Sequence, residues 1–531
     1  MRRDINKLSE EEYDLLIIGG GVNGLATAWD ATLRGLKVAL IEKGDFGGAT
    51  SAASLKIIHG GLRYLQHVDF PRMKESIRER SNLLRILPHL IDPFPFMVPA
   101  YGHGMKGKEA LAIAMKMNDF ISRNRNKNLK DEEQHLPNGK IISKKACLEL
   151  APHLKQDGLK GAAVFYDGRM HNADRVNLEF ALAADSKGAD LANYVSAQKI
   201  NMAAGRIHSV RVKDELSGEE FEIKAKVVAG LMGPWSDLLP RLLDEESVSE
   251  EVVKSAGIQI ITPAVTKEGM GLGVMSDYVD PDAKIARGGR HYFTTPWRGM
   301  TIWGTTDKIY RGKPEEWKIE EADIEEFIID INHAVHGINL ERSQVVNAFG
   351  GLRPVSDENI DAGSQVSRKA EIMDHEEDLN IENLISAEGV KYTTCRLLAE
   401  KMTDLVYVKL NIPTPACKTE TTPLFGGDFS TRAELRAHAE KIKPEGLAEK
   451  AFDYLVRSYG AKCTALLERI AQKPAEAQLL RDSDEIPMVC IHHAIENEQA
   501  KTIDDVLLRR TDAGTLMPPT EAMRSQVAEL L

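Results

Sequence analysis

The chain has 531 residues, room for two to four domains at roughly 150 residues each, and its 43% hydrophobic and 28% charged residues describe a soluble globular protein. A small binding module, a disordered chain and a fibrous repeat are excluded. With 80 acidic against 68 basic side chains the formal charge is −12, which excludes nucleic acid as the principal partner, since phosphate backbones are met by basic faces.

The N-terminus, MRRDINKLSEEEYD, lacks an apolar signal core, and no stretch reaches the roughly 18 apolar residues of a membrane span. Peripheral membrane contact stays open, because one apolar helix face suffices for it. The first element is an apolar strand from Tyr13 to Ile18 that runs into GGGVNG. A helical segment from Val22 to Leu33 and a second strand from Lys37 to Ile41, ending at Glu42, follow it. Gly19, Gly21 and Gly24, with the acid 18 positions after Gly24, match a dinucleotide-binding unit. Gly19 permits the turn, Gly21 lets backbone amides approach a pyrophosphate, Gly24 allows helix and strand to pack closely, and Glu42 accepts from a ribose. At this point NAD and FAD fit equally.

Between Asp69 and Leu90, Met73, Ile77, Leu84 and Leu87 recur at helical spacing, predicting an amphipathic helix with a core face and a solvated face. The stretch Glu109 to Ser122 is helical and more apolar, and a buried core helix is expected in preference to a membrane contact. Residues 190–228 switch to period two, with RIHSVRVK, a turn at Ser217 and Gly218, and FEIKAKVV forming a hairpin. Further strands are expected at 257–263, 291–295 and 300–304. After Gly427 the composition becomes that of a separate helical domain. The five cysteines, odd in number and without a CxxC pair, fit a reducing compartment with neither a disulfide framework nor a metal site.

The loop GGATSAASLKIIHGGLRYLQ, residues 47–66, resembles the FAD-dependent glycerol-3-phosphate dehydrogenases. The resemblance continues through GPW from Gly233, GTTD from Gly304, GGLRPV from Gly350, GVKYTTCRLLAE from Gly389, TTPLFGG from Thr421 and AKTIDDVLLRRTDAG from Ala500, nearly the whole chain. It implies an α/β protein: a Rossmann-like FAD-binding domain of the D-amino-acid-oxidase-like type, interrupted by a β-rich substrate domain, plus a C-terminal helical domain. The expected boundaries are 1–90, 191–240 and 346–427 for the flavin-binding parts, 91–190 for a mixed helical and substrate region, 241–345 for the substrate domain and 428–531 for the helical domain. The implied reaction is hydride transfer from sn-glycerol 3-phosphate to FAD, giving dihydroxyacetone phosphate, with electrons passed to a quinone. A bacterial-type cytoplasmic protein, peripheral on the cytoplasmic face of the membrane, is expected, and a homodimer is compatible with this reading.

By the same resemblance Thr50 and Ser51 lie along the flavin, Gly233 lies near the dinucleotide, and Gly389, Val390, Lys391 and Thr393 place a helix N-terminus at the flavin ring. A phosphate of nearly two charges needs directed cations; Arg63, beside Tyr64, with Arg353 and Lys391 sit in the most family-like motifs, and Arg368 matches a weaker one. Arg353 and Lys391 also stand as catalytic candidates, able to stabilise an alkoxide.

Three departures matter. Many relatives have a histidine in a GSHIVVP strand, whereas this chain reads GIQIITP, with Gln259 in its place. Glutamine is not a base near neutral pH, so His59 or His291 takes the proton, with His59 ranked first, or the cations lower the alcohol's pKa, or the substrate differs. Leu231 and Met232 replace small and hydroxyl residues before GPW, and Cys395 replaces a common tyrosine as a small buried hydrophobe. A dehydrogenase of another polyol phosphate such as erythritol phosphate, and a non-catalytic flavin-binding protein, remain as alternatives.

Overall fold

The computed structural model of the chain describes residues 1–65, 67–102, 107–244, 253–275, 291–335, 337–354, 371–389 and 391–531. Arg368 and Val390 lie outside the described residues, as does the side chain of His291. In chain order the described strands are β1 (Glu12–Ile18), β2 (Val38–Glu42), β3 (Ile57–Ile58), β4 (Ile91–Tyr101), β5 (Lys140–Ser143), β6 (Leu159–Met170), β7 (Asp190–Asn193), β8 (Val195–Ala203) and β9 (Arg206–Asp214). They continue with β10 (Glu220–Gly230), β11 (Lys254–Pro263), β12 (Gly271–Met275), β13 (His291–Trp297), β14 (Met300–Gly304), β15 (Lys308–Tyr310), β16 (Asn347–Pro354), β17 (Glu371–Asp374) and β18 (Leu384–Glu388).

The first sheet runs β17-β18-β10-β1-β2-β7, parallel from β18 to β7. Its central strand is apolar on both faces because both are covered, as parallel strands require. Leu15 and Ile17 point into a helical layer, while Leu16 and Ile18 point into an antiparallel layer. The helical layer holds Val22–Leu33 between Ala173–Asp185 and Cys395–Lys409, with Trp29 edge-on to Phe180 at 5.8 Å between centroids. The opposite layer is the expected hairpin, β9 with β10, extended by β8. Strand β10 then runs on beside β1, so one strand serves both the hairpin and the dinucleotide sheet.

The second sheet runs β15-β11-β14-β13-β12-β4-β6-β3, with β16 on β11 and β5 on β6. Helix Glu321–Ala334 and helix Lys144–Leu150 pack on it around Phe327, Ile331, Trp303 and Cys147. Strand β16 lies inside a segment expected to complete the flavin-binding domain, yet it pairs with β11 from Lys254 to Ile261 in this second sheet. The C-terminal helices, Arg432–Glu440, Glu449–Tyr459, Cys463–Gln472, Met488–Asn497 and Glu521–Ala528, close around their own core of Phe452, Leu455, Leu467, Val489 and Leu507.

Two helices answer their sequence patterns differently. Phe70–Ile86, capped by the Asp69 carboxylate on the Arg72 N–H, buries Met73, Ile77 and Leu84 as expected, with Leu87 just past its end. It also buries the charged Glu79 and Arg80. Helix Lys108–Ile121 is not the expected core helix: it buries only Leu111 and Met115 against the second sheet. Ile113, Met117 and Phe120 are 62%, 41% and 70% exposed, because its apolar residues occupy two stripes and the sheet covers one.

Candidate active site

A cavity of about 730 Å³ runs between the two sheets. At one end its wall is the β1 turn and the start of helix Val22–Leu33, with Gly19, Gly21, Glu42, Ser51 and Gly233. Gly19 has φ +115°, and a Cβ on Gly24 would lie 1.9 Å from the Gly19 carbonyl, so both positions demand glycine. Gly21 caps the helix without a side-chain bond, and the Ser51 hydroxyl accepts the Val22 N–H at 2.9 Å. The Glu42 carboxylate accepts the Gly20 N–H at 2.7 Å and the Gly44 N–H at 2.8 Å. Burial pushes this carboxyl up against the pull of those amides, and it still faces the cavity.

At the other end the wall is β11 against β16. Gly257 stands opposite Gly351, and Ser255 opposite Arg353, in an antiparallel register that puts Ser255, Gly257 and Gln259 on one face. Two residues without side chains therefore form a floor between Gln259 and Arg353, roughly 13 Å apart along the strands. The Arg353 guanidinium is aimed by a second pair: Nε donates to Ser255 Oγ at 3.1 Å and Nη2 lies 2.9 Å from Asp307. Lys391 completes this end, its ammonium 4.7 Å over the Tyr64 ring, a cation held on an aromatic face. Thr50, whose hydroxyl donates to the Leu352 carbonyl, and Gly389, reached by the Asn23 amide at 3.3 Å, line the stretch between the ends.

The FAD dependent oxidoreductase family model matches residues 14–405, and the model for the C-terminal domain of alpha-glycerophosphate oxidase matches 417–531. A glycerol-3-phosphate dehydrogenase of Synechocystis is 31% identical over 96% of this chain and 90% of its own. The chain belongs to the glycerol-3-phosphate dehydrogenase family of FAD-dependent oxidoreductases. The mitochondrial glycerol-3-phosphate dehydrogenase of Mus musculus is 33% identical over 98% of this chain and 70% of its own. Among solved structures, the glycerol-3-phosphate dehydrogenase of Bacillus halodurans complexed with FAD shares the fold at TM-score 0.74, with 24% identity, covering 99% of this chain and 90% of that one.

FAD, the cofactor of this family, fits the residues present. The glycine cradle and the open helix start suit a pyrophosphate, Glu42 suits a ribose, and Val195, Ser196, Ala197 and Leu242 wall the far end for an adenine. Leu231 and Met232 cost nothing here: Leu231 donates its N–H to the Ile18 carbonyl at 2.8 Å, and its carbonyl is the atom a Gly19 Cβ would strike, so its backbone makes the close approach. Cys395 is fully buried, and burial pushes its thiol up to about 12, as a small hydrophobe requires.

The cavity thus unites Gly19, Gly21, Glu42, Thr50, Ser51, Gly233, Gln259, Arg353, Gly389 and Lys391. Gly24, His59, Arg63, Tyr64 and Thr393 stand outside its wall. The His59 backbone N–H donates to Thr393 Oγ1 at 3.2 Å, so the HGG loop is tied to the GVKYTT segment. Asp167 anchors the same loop, accepting the Gly60 N–H at 2.7 Å and pairing with Arg80.

Sequence reasoning missed these supports, together with Ser255, Asp307, Asn23 and Arg509. Arg509 belongs to the C-terminal domain yet lines the cavity, donating through Nε to Asp45 at 2.6 Å. Arg510 grips the same carboxylate at 2.6 and 2.8 Å. Burial would raise Asp45, but the two arginines outweigh it and hold its pKa at about 2. The signal was in the sequence: RRTDAG was part of the family-like C-terminal motif, without a partner to explain it.

Proposed function

We propose that the chain oxidises the secondary hydroxyl of sn-glycerol 3-phosphate to dihydroxyacetone phosphate. The observation that carries this reading is one cavity with a dinucleotide cradle at one end and Arg353 and Lys391 at the other, over a glycine floor. FAD, when bound, supplies the two-electron acceptor for the carbinol hydrogen. Arg353 and Lys391 bind the phosphate and neutralise its charge, and Ser255 with Asp307 keep the guanidinium fork directed. Arg368 is a third candidate cation. Tyr64 backs this end, carrying the Lys391 ammonium, and Arg63, beside it in sequence, is a further candidate cation. The same cations lower the pKa of the substrate hydroxyl, which stands at Gln259, so that its proton passes to solvent water in place of an imidazole at that position. His59 acts through its backbone hold on Thr393.

Among the described residues no helix is long and apolar enough to cross a membrane. Electron transfer to a quinone calls for a surface contact, and helix Lys108–Ile121 supports one: Ile113, Met117 and Phe120 are exposed beside exposed Lys116, Arg123 and Lys127. A panel of glycerol 3-phosphate, erythritol phosphate and unphosphorylated glycerol, assayed with an artificial acceptor, tests the substrate. Saturation at the lowest concentration by glycerol 3-phosphate is expected; a preference for erythritol phosphate moves the reading to the longer polyol, which the change to Gln259 would favour. Equal use of glycerol removes the phosphate site.

A further inference from the structure

Gln259 is 4% exposed and lines the cavity. Its Nε2 donates to Thr305 Oγ1 at 3.1 Å, while its Oε1 has no hydrogen-bond partner among the described residues. The Thr305 hydroxyl has one proton, and that proton is used on the Thr306 carbonyl at 3.1 Å. With its proton on that carbonyl, the Thr305 oxygen accepts from Gln259. A turned carboxamide would have to draw that proton off the Thr306 carbonyl, at the loss of one hydrogen bond. The network favours the orientation in which the unpaired end of this cavity-wall amide is the buried carbonyl oxygen, able to accept and unable to donate.

An alcohol can donate to such an atom and a ketone cannot. Resting on the functional reading above, we propose that Gln259, oriented by Thr305, discriminates between the two ends of the reaction. It pairs with the hydroxyl of the substrate and leaves the carbonyl of the product facing another carbonyl, so the product binds weakly and departs readily. An imidazole at this position, with a nitrogen that donates in either protonation state, would hold alcohol and ketone alike. Gln259 is thus a specificity-determining residue and Thr305 its positioning residue.

The test uses the oxidised holoenzyme and two ligands that it does not oxidise: dihydroxyacetone phosphate and 3-hydroxypropyl phosphate, which has no oxygen on its central carbon. Both are titrated through the change in the visible flavin spectrum. In the wild type the ketone should bind no more tightly than the deoxy analogue. Thr305→Val keeps the side-chain volume and frees the amide to turn. It should tighten the ketone about tenfold relative to the deoxy analogue, the scale of one buried hydrogen bond gained. Thr305→Ser should restore the wild-type ranking, and Gln259→His should tighten the ketone as Thr305→Val does. A wild type that binds the ketone tenfold better than the deoxy analogue overturns the proposal, as does an unchanged ratio in Thr305→Val with its flavin spectrum intact. These outcomes are separable from failure of the functional reading: a flavin that glycerol 3-phosphate never bleaches ends both, whereas a bleached flavin with tight ketone binding ends only this one.

Discussion

The two ends of the cavity are built on different principles. The dinucleotide end is made of backbone and comes from one short stretch: Gly19, Gly21 and the start of helix Val22–Leu33, closed by Glu42 on two amides. The end proposed for the substrate is made of side chains from distant strands, Gln259 on β11, Arg353 on β16 and Lys391 beyond β18, each held by a second residue from elsewhere. Backbone sites tolerate changes of side chain, which is why Leu231 and Met232 fit, but they admit no Cβ where two chains cross. Side-chain sites tolerate divergence of the scaffold and depend on their supports.

That contrast predicts a ranking of effects. Gly24→Val, which would drive a Cβ into the Gly19 carbonyl, should yield protein without bound flavin. The ratio of visible to ultraviolet absorbance checks this, and a yellow Gly24→Val protein would break the backbone account of that end. Next is the clamp from the C-terminal domain. Asp45→Asn leaves Arg510 buried and half-paired and should cost about 3–5 kcal/mol by denaturant unfolding. Because the native Asp45 pKa is depressed to about 2, the stability it contributes is complete above about pH 4 and is lost as pH falls through about 2. The variant should lack that part of the acid transition.

Arg353→Ala should raise the KM for glycerol 3-phosphate roughly a hundredfold, the order expected when a charged partner of a phosphate is lost, with flavin stoichiometry unchanged. Asp307→Asn, which removes the aim and keeps the charge, should raise it about tenfold, with kcat less affected. Equal effects on flavin retention and on KM would erase the distinction between the two ends. Smallest for the chemistry is Ile113→Glu with Phe120→Glu: vesicles with anionic lipid should sediment the variant at least roughly tenfold less well, while turnover with an artificial acceptor stays at the wild-type value.

The same contrast explains what the sequence made readable. Gly19, Gly21, Gly24 and Glu42 were visible because the motif is local and each residue has a steric or hydrogen-bonding reason for its spacing. That Arg353 and Lys391 line this cavity was legible only through resemblance, since nothing local marks an arginine as facing a site. Asp307 stood inside a recognised motif, GTTD, but its role depends on β11 bringing Ser255 beside Arg353, a pairing across 98 residues of sequence. Arg509 and Arg510 were hidden further, since their partner Asp45 lies in the loop after β2 at the opposite end of the chain. Helix Lys108–Ile121 misled for another reason: its periodicity announces a helix with apolar faces, and only the packed neighbour decides how many are covered.

If the cradle and the cations serve one reaction in one cavity, glycerol 3-phosphate must reduce the bound flavin and Arg353 must set the concentration at which it does so. Anaerobic titration of the oxidised holoenzyme with glycerol 3-phosphate, followed in the visible spectrum, tests it most directly. Stoichiometric bleaching of the flavin is expected in the wild type, and the same bleaching at roughly hundredfold higher concentration in Arg353→Ala. An unchanged wild-type spectrum, or bleaching at the same concentration in both proteins, would contradict it.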